Sequence, residues 1–116
     1  MDKKTILFVD DKEYIRDLLK EILVMSGYIP IICEDGKHAI PHINSADMLI
    51  TDLNMPGGIS GVELTKIAKR KKPGMPVIIM TGAPTDIPAN HVANEIIEKP
   101  FDVKRLRKVI SDLLRR

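Results

Sequence analysis

The chain has 116 residues, 44% hydrophobic and 29% charged, the make-up of one ordinary globular domain with room for a single sizeable core. Eighteen Lys and Arg against sixteen Asp and Glu leave a net charge of +2, and aromatics are 3% with no Trp. That balance excludes an electrostatic footprint for DNA and a base-stacking platform for single strands, so no direct nucleic-acid partner is expected.

The first predicted element is a central strand, Thr5–Val9, a continuous apolar run bounded by lysines and by Asp10-Asp11. The run stops at Val9, too short for the apolar core of a signal peptide, and no run approaches membrane-spanning length. A cytoplasmic location without membrane contact is therefore expected. Over residues 11–25 the period turns helical. Ile15, Leu18, Leu19, Ile22 and Leu23 recur at helical spacing, with Lys12, Glu13, Arg16, Asp17, Lys20 and Glu21 opposite. Asp11 is expected to cap this helix or to act as its first-turn acid, and Gly27 to close it.

Residues 28–33 form a second strand, placed at a sheet edge because Pro30 cannot donate to a ladder. Cys33 is the single cysteine, which excludes an internal disulfide and suits a reducing compartment. Its apolar neighbours predict a packed thiol. Glu34-Asp35-Gly36 is a turn, and residues 37–43 a helix shortened or bent by Pro41. Met48, Leu49 and Ile50 then open a third strand, covered on both faces, that ends in Asp52. Asn54, Pro56, Gly57 and Gly58 supply turn chemistry after it. An Asp at the carboxyl end of an interior strand sits where open parallel sheets place ligands. The plainer alternative is an Asp that opens a loop.

Residues 61–70 are helical, with Val62, Leu64, Ile67 and Ala68 apolar. Lys69-Arg70-Lys71-Lys72 reads as a solvated helix end favoured by the helix dipole, with a basic patch for an acidic partner as the alternative. Residues 76–80 form a fourth strand, ending in Thr81-Gly82. Pro84 and Pro88 limit any following helix to residues 87–93, capped by Thr85 or Asp86. Glu95–Glu98 is a short fifth strand whose charged ends suit the other edge. After Lys99-Pro100, Asp102 caps a last helix with Val103, Leu106, Val109, Ile110, Leu113 and Leu114 on one face. Lys104, Arg105, Arg107 and Lys108 lie on the other.

Five strands alternating with five helices predict an α/β fold, a doubly wound parallel sheet forming one domain across residues 1–116. With Pro30 at an edge, the strand order 2-1-3-4-5 is favoured. In that order four strand ends meet at one rim and bring together Asp10, Asp11, Asp52, Thr81 and Lys99. Each residue alone is usually a cap or a loop residue; the conjunction points to chemistry. Three clustered carboxylates repel one another and call for a cation. Oxygen ligands without Cys or His favour Mg²⁺ over Zn²⁺. Such an ion can hold a phosphoryl group, with Lys99 as a point charge on a second oxygen and Thr81 as a donor to a third. The role left for Asp52 is nucleophile, giving an aspartyl phosphate.

These residues, with Asp52-Leu53-Asn54-Met55-Pro56 especially close, resemble the CheY-like receiver domains of two-component response regulators, over the whole chain. The resemblance implies a flavodoxin-like fold and a phosphoryl group received on Asp52 from a sensor histidine kinase or a histidine phosphotransfer protein. It implies Mg²⁺ on Asp11 and Asp52, on Asp10 through water, and on the backbone carbonyl of Asn54. Lys99 would pair with the phosphoryl oxygens, Lys99-Pro100 would be cis, and Thr81 would swing toward the phosphate to control an output protein. The chain is expected to be a monomer or weak homodimer, and no enzyme beyond self-phosphorylation and autodephosphorylation.

Three features depart from the family's pattern. Gly57-Gly58-Ile59-Ser60 is about one residue longer than usual, which two glycines can absorb as a bulged loop. Ile96 stands where Tyr or Phe is common, and the stretch between Thr81 and Lys99 is short, predicting a shortened fourth helix. Two other readings stand beside this one. The first is a receiver fold that is an interaction module not regulated by phosphorylation. The second is a Mg²⁺-dependent phosphohydrolase with an Asp nucleophile, although adjacent acids replace its DxD pair and no residues are left for a cap.

Overall fold

The computed structural model describes residues 3–115. In chain order the elements are β1 (Thr5–Val9), α1 (Glu13–Met25), β2 (Ile29–Cys33), α2 (Gly36–Ala39), a 3-10 turn (Ile40–Ser45), β3 (Met48–Asp52), α3 (Gly61–Lys71), β4 (Val77–Thr81), a 3-10 turn (Pro84–Asp86), β5 (Glu95–Glu98) and α4 (Val103–Leu114). All strand pairs are parallel, and the order is β2-β1-β3-β4-β5, as expected from Pro30 at an edge. Among the described residues, no helix is long and apolar enough to cross a membrane.

Alternation along the buried strands builds two cores. Ile6, Phe8, Ile50 and Met80 face α1 and α4, where Leu19, Leu23, Leu106 and Ile110 meet them. Leu7, Val9, Leu49 and Val77 face the other way, onto Ala39, Ile43, Leu64 and Ala68. Parallel strands covered on both faces need this continuous apolarity, and each fully buried Leu or Ile contributes about 1.5–3 kcal/mol. The two cores hold the sheet between helix layers, so the strand ends at the rim are placed by the whole interior.

Helix ends follow local chemistry. Gly27, at φ 89°, closes α1 as predicted. Tyr28 N–H donates to Leu23 O at 2.9 Å and Gly27 N–H to Val24 O at 3.1 Å, so the Leu23 and Val24 carbonyls in the last turn of α1 are satisfied. Asp102 caps α4 by accepting from Lys104 N–H at 2.9 Å. Ser60 caps α3 by accepting from Glu63 N–H at 3.1 Å. Pro41 cuts the second helix to α2 plus the 3-10 turn that follows it.

Three expectations are corrected. Asp11 does not cap α1: Lys12 flanks the first turn, Glu13 is its acid, and the Lys12 N–H is taken by Asp10 Oδ1 at 2.9 Å. The predicted helix over residues 87–93 does not form, so the described residues hold four α-helices rather than five. Seven residues with a proline near the start are too few to nucleate a helix without strong packing. Asn94 also pulls the chain straight into β5. Its N–H donates to Val77 O at 2.8 Å, and its Oδ1 accepts from Val77 N–H at 3.0 Å and from Lys69 Nζ. The lysine run is not simply a solvated end either. Lys69 Nζ also donates to Met75 O at 2.8 Å, and Lys72 Nζ donates to Ala46 O. Burial pulls the Lys69 ammonium below its ordinary pKa.

Gly61 sets the start of α3. A Cβ there would lie 2.1 Å from Asp52 O, and its N–H donates to Leu53 O at 2.8 Å. Only glycine lets the helix begin against the backbone that carries Asp52. Gly61→Ala is expected to lower unfolding stability in urea by about 1–3 kcal/mol; an unchanged midpoint would show that the two backbones separate freely.

Candidate functional site

Four strands deliver their carboxyl ends to one rim. Asp10 follows β1, Asp52 ends β3, Thr81 ends β4 and Lys99 follows β5. Met80 is in register with Asp52, and Thr81 with Glu98, so the last residues of β3, β4 and β5 stand side by side. Lys99 N–H donates to Thr81 O at 2.8 Å, which carries the register one step past the sheet. The Lys99-Pro100 peptide bond is cis.

Asp10 is 0% exposed and Asp52 only 6%. Lys99 Nζ reaches both, at 2.8 Å from Asp10 Oδ2 and 3.4 Å from Asp52 Oδ1. Asp10 Oδ1 accepts from Lys12 N–H, and Asp52 Oδ1 accepts from Leu53 N–H at 2.8 Å. Each contact to Asp52 thus falls on Oδ1, which leaves Oδ2 as the oxygen open to the cleft. Asp11 is exposed, with Lys12 Nζ 3.4 Å from its Oδ1. One carboxylate oxygen from each of Asp10, Asp11 and Asp52 lies within 4.8 Å of the others, a spacing that suits a hard divalent cation.

Charge follows from burial. Desolvation pushes the Asp52 carboxyl above its usual range. Lys99 opposes that rise and the Asp10 charge adds to it, while the Leu53 N–H favours the ionised form. The Asp11 charge holds the exposed Lys12 ammonium above its ordinary value. Thr81 is buried, and its Oγ1 accepts from Ala83 N–H at 2.9 Å, which leaves the hydroxyl proton free to donate.

A shallow cleft of about 310 Å³ opens over these groups, lined by Asp52, Asn54, Thr81, Lys99, Lys12, Tyr14, Ile15 and the Gly82-Ala83 backbone. Every candidate side chain from the sequence is therefore at one place. Lys12 and Tyr14 were not anticipated. Both stand just after Asp10-Asp11, where the chain turns from the rim into α1, and Tyr14 is one of only two tyrosines in the chain. That position and an exposed ring were the available signals.

The loop after Asp52 is held at both ends. Gly57 and Gly58 take φ of 88° and 82°, the left-handed region, so they absorb the longer loop as expected. Ile59 packs on Gly36, where an added Cβ would meet its Cγ2 at 2.8 Å. Thr51 Oγ1 donates to Asp52 O at 2.9 Å. Ile96 is half-buried in β5, with no ring at that position. Cys33 is a buried free thiol, and burial, with the charges of Asp35 and Glu34, pushes it up, as a packed cysteine should be.

Known proteins share this architecture. The family model for the response regulator receiver domain matches residues 6–111. The uncharacterized transcriptional regulatory protein YrkP of Bacillus subtilis is 34% identical, over 96% of this chain and 49% of that protein. The chain spans about half the length, or less, of the curated relatives it matches first. A response regulator receiver protein from Sinorhizobium medicae superposes with a TM-score of 0.91 at 26% identity, covering 98% of this chain and 96% of that one. The response regulator TrrA of Thermotoga maritima, solved with Mg²⁺ and BeF, superposes with a TM-score of 0.84 at 35% identity, covering 95% and 98%. A family match over nearly all of the chain, with receiver proteins superposing on almost its whole length, means that this chain belongs to the response regulator receiver domains, the signalling domains of two-component systems.

Proposed function

We propose that this domain is a phosphoacceptor, with Asp52 receiving a phosphoryl group from a phosphohistidine on a sensor histidine kinase or histidine phosphotransfer protein. The observation that carries the reading is the state of Asp52. One of its oxygens is held by Leu53 N–H and faces Lys99, and the other is open to a cleft. Asp52 Oδ2 attacks phosphorus, the phosphorus–nitrogen bond breaks, and its electron pair returns to the imidazole. Asp52 reacts as the carboxylate, the form that the Lys99 ammonium and the Leu53 N–H favour.

The oxygen cluster fits Mg²⁺. Asp10, Asp11 and Asp52 would hold it with the Asn54 carbonyl, and when bound it would offset carboxylate charge and bind phosphoryl oxygens. Lys99 supplies the fixed positive charge of the pocket. Thr81 has one proton to give to a phosphoryl oxygen, and its Oγ1 is tied to Ala83 N–H. Rotation of Thr81 therefore pulls directly on the backbone of the segment after β4. With Ile96 in place of an aromatic ring, the signal runs through that backbone to an output protein. The missing helix before β5 favours one second reading, an interaction module indifferent to phosphorylation.

With Mg²⁺ and acetyl phosphate, the protein should gain one phosphoryl mass in an adduct stable to acid and labile to alkali. EDTA or Asp52→Asn should abolish it. An adduct at full yield in the variant would remove Asp52 from the role, and a wild-type chain that never labels would favour the interaction module.

Stability gives a second check. A folded-state pKa raised above the unfolded value means that ionised Asp52 destabilises the fold, fully above the folded pKa and not at all below the ordinary carboxylate range near 4. In EDTA at neutral pH, Asp52→Asn should melt roughly 2–8 °C above wild type. The gap should close as the solution is acidified and narrow when Mg²⁺ is added. A variant that melts at or below wild type in EDTA would argue against the crowded acids.

A further inference from the structure

The acid pocket carries a second ammonium group, which the phosphoacceptor chemistry leaves without a part. Lys99 follows β5 and stands between Asp10 and Asp52, its side chain only 18% exposed. Lys12 stands at the mouth, with its Nζ 3.4 Å from Asp11 Oδ1 and both side chains partly open to solvent. Its main chain is fixed by a neighbouring acid, because Lys12 N–H donates to Asp10 Oδ1 at 2.9 Å. Lys12 therefore touches two of the three clustered carboxylates, one through its backbone and one through its side chain. It also lines the cleft over Asp52, and the charges of Asp11, Asp52 and Asp10 all act on its ammonium.

The charges of the pocket give this contact a consequence. With all three carboxylates ionised, Lys99 alone leaves two negative charges over, and Lys12 reduces them to one. A divalent cation and an ammonium group cannot share Asp11 without repelling each other. Lysine suits a contact that must be given up, as a compact charge on a flexible four-carbon stem. The backbone bond to Asp10 does not depend on where that charge goes. Resting on the reading of Asp10, Asp11 and Asp52 as Mg²⁺ ligands, we propose that Lys12 is the built-in counter-ion of the metal-free pocket. Its ammonium must leave Asp11 before that carboxylate can hold Mg²⁺, and it thereby sets how much Mg²⁺ the domain needs before Asp52 can react.

The test titrates Mg²⁺ into the intact, metal-stripped chain with no phosphodonor present. The apparent dissociation constant is read from the rise in melting temperature with Mg²⁺ concentration. Lys12→Met and Lys12→Gln remove the charge from an exposed side chain, and Lys12→Arg keeps it. The two neutral variants are expected to bind Mg²⁺ about 3- to 10-fold more tightly than wild type, and Lys12→Arg within about 2-fold of it. The advantage of the neutral variants should shrink as KCl is raised from about 0.05 M to about 0.5 M, because salt screens the repulsion they lack. Neutral variants with wild-type or weaker affinity, or an advantage that salt leaves untouched, overturn the counter-ion. A wild-type chain whose melting temperature does not respond to Mg²⁺ overturns it together with the metal reading on which it rests. If the neutral variants tighten Mg²⁺ while acetyl phosphate labels neither them nor wild type, the counter-ion stands and the phosphoacceptor role of Asp52 falls.

Discussion

Lys99 Nζ stands between two buried carboxylates, and the rim is arranged around that contact. A buried carboxylate without a partner costs several kcal/mol. Asp10, fully enclosed, takes the closer contact with the ammonium; Asp52 is left with the longer one and with the repulsion of its neighbour. One cation for two buried anions leaves a surplus negative charge, with Asp11 adding another at the mouth. The structure tolerates this only because two apolar layers hold the strand ends in place from beneath. Stability built in the core is thus what allows the rim to be electrostatically unfavourable, and an unfavourable rim is what gives a cation or a phosphoryl group something to relieve.

The backbone after Asp52 is restrained as tightly as its side chain. Gly61 brings α3 against the Asp52 carbonyl, and Ile59 seats the far end of the loop on Gly36 at the start of α2. Just before Ile59, Gly57 and Gly58 occupy the left-handed region that other residues avoid. The loop is long but tied down: one close backbone approach and one side-chain contact fix its end, and two glycines its bend. This restraint holds Asp52 Oδ1 on Leu53 N–H, and so decides which oxygen faces solvent.

Much of this was legible because it depends on short-range patterns. Runs such as Ile6 to Val9 and Val77 to Met80 can only be strands covered on both faces, and Pro30 alone put β2 at an edge. Once the order was known, Asp10, Asp52, Thr81 and Lys99 had to meet. What could not be read were choices made by contacts distant in sequence. Asp10, not Asp11, takes the Lys12 N–H, because Asp10 is the residue that points into the sheet rim. Residues 87–93 had a candidate cap in Thr85 or Asp86, yet Asn94 is drawn onto Val77 and Lys69 across β4 and α3. Lys69 and Lys72 read as a charge run, but their ammonium groups reach carbonyls of Met75 and Ala46 that sequence spacing does not reveal.

The absent helix changes how a signal can leave the site. In a segment with helical hydrogen bonds, movement at Thr81 would be shared with a rigid body. Here Thr81 Oγ1 meets Ala83 N–H, a single 3-10 turn follows, and the described chain next joins the core at Ala93 and β4 at Asn94. Between those two points the described backbone has few anchors; His91 N–H donates to Pro88 O at 3.1 Å and Ala93 N–H to His91 Nδ1 at 3.1 Å. Under the proposed switch, such a strap would change shape instead of tilting. On the opposite side of the rim, Asp10 N–H donates to Cys33 O at 3.2 Å, so the acid pocket also shares its backbone with the β2–α2 corner. Displacement at Asp52 or Asp10 can therefore travel in two directions of unequal stiffness. The way through Ala83 has few hydrogen bonds behind it, whereas the way through Cys33 is backed by the ladder of the sheet.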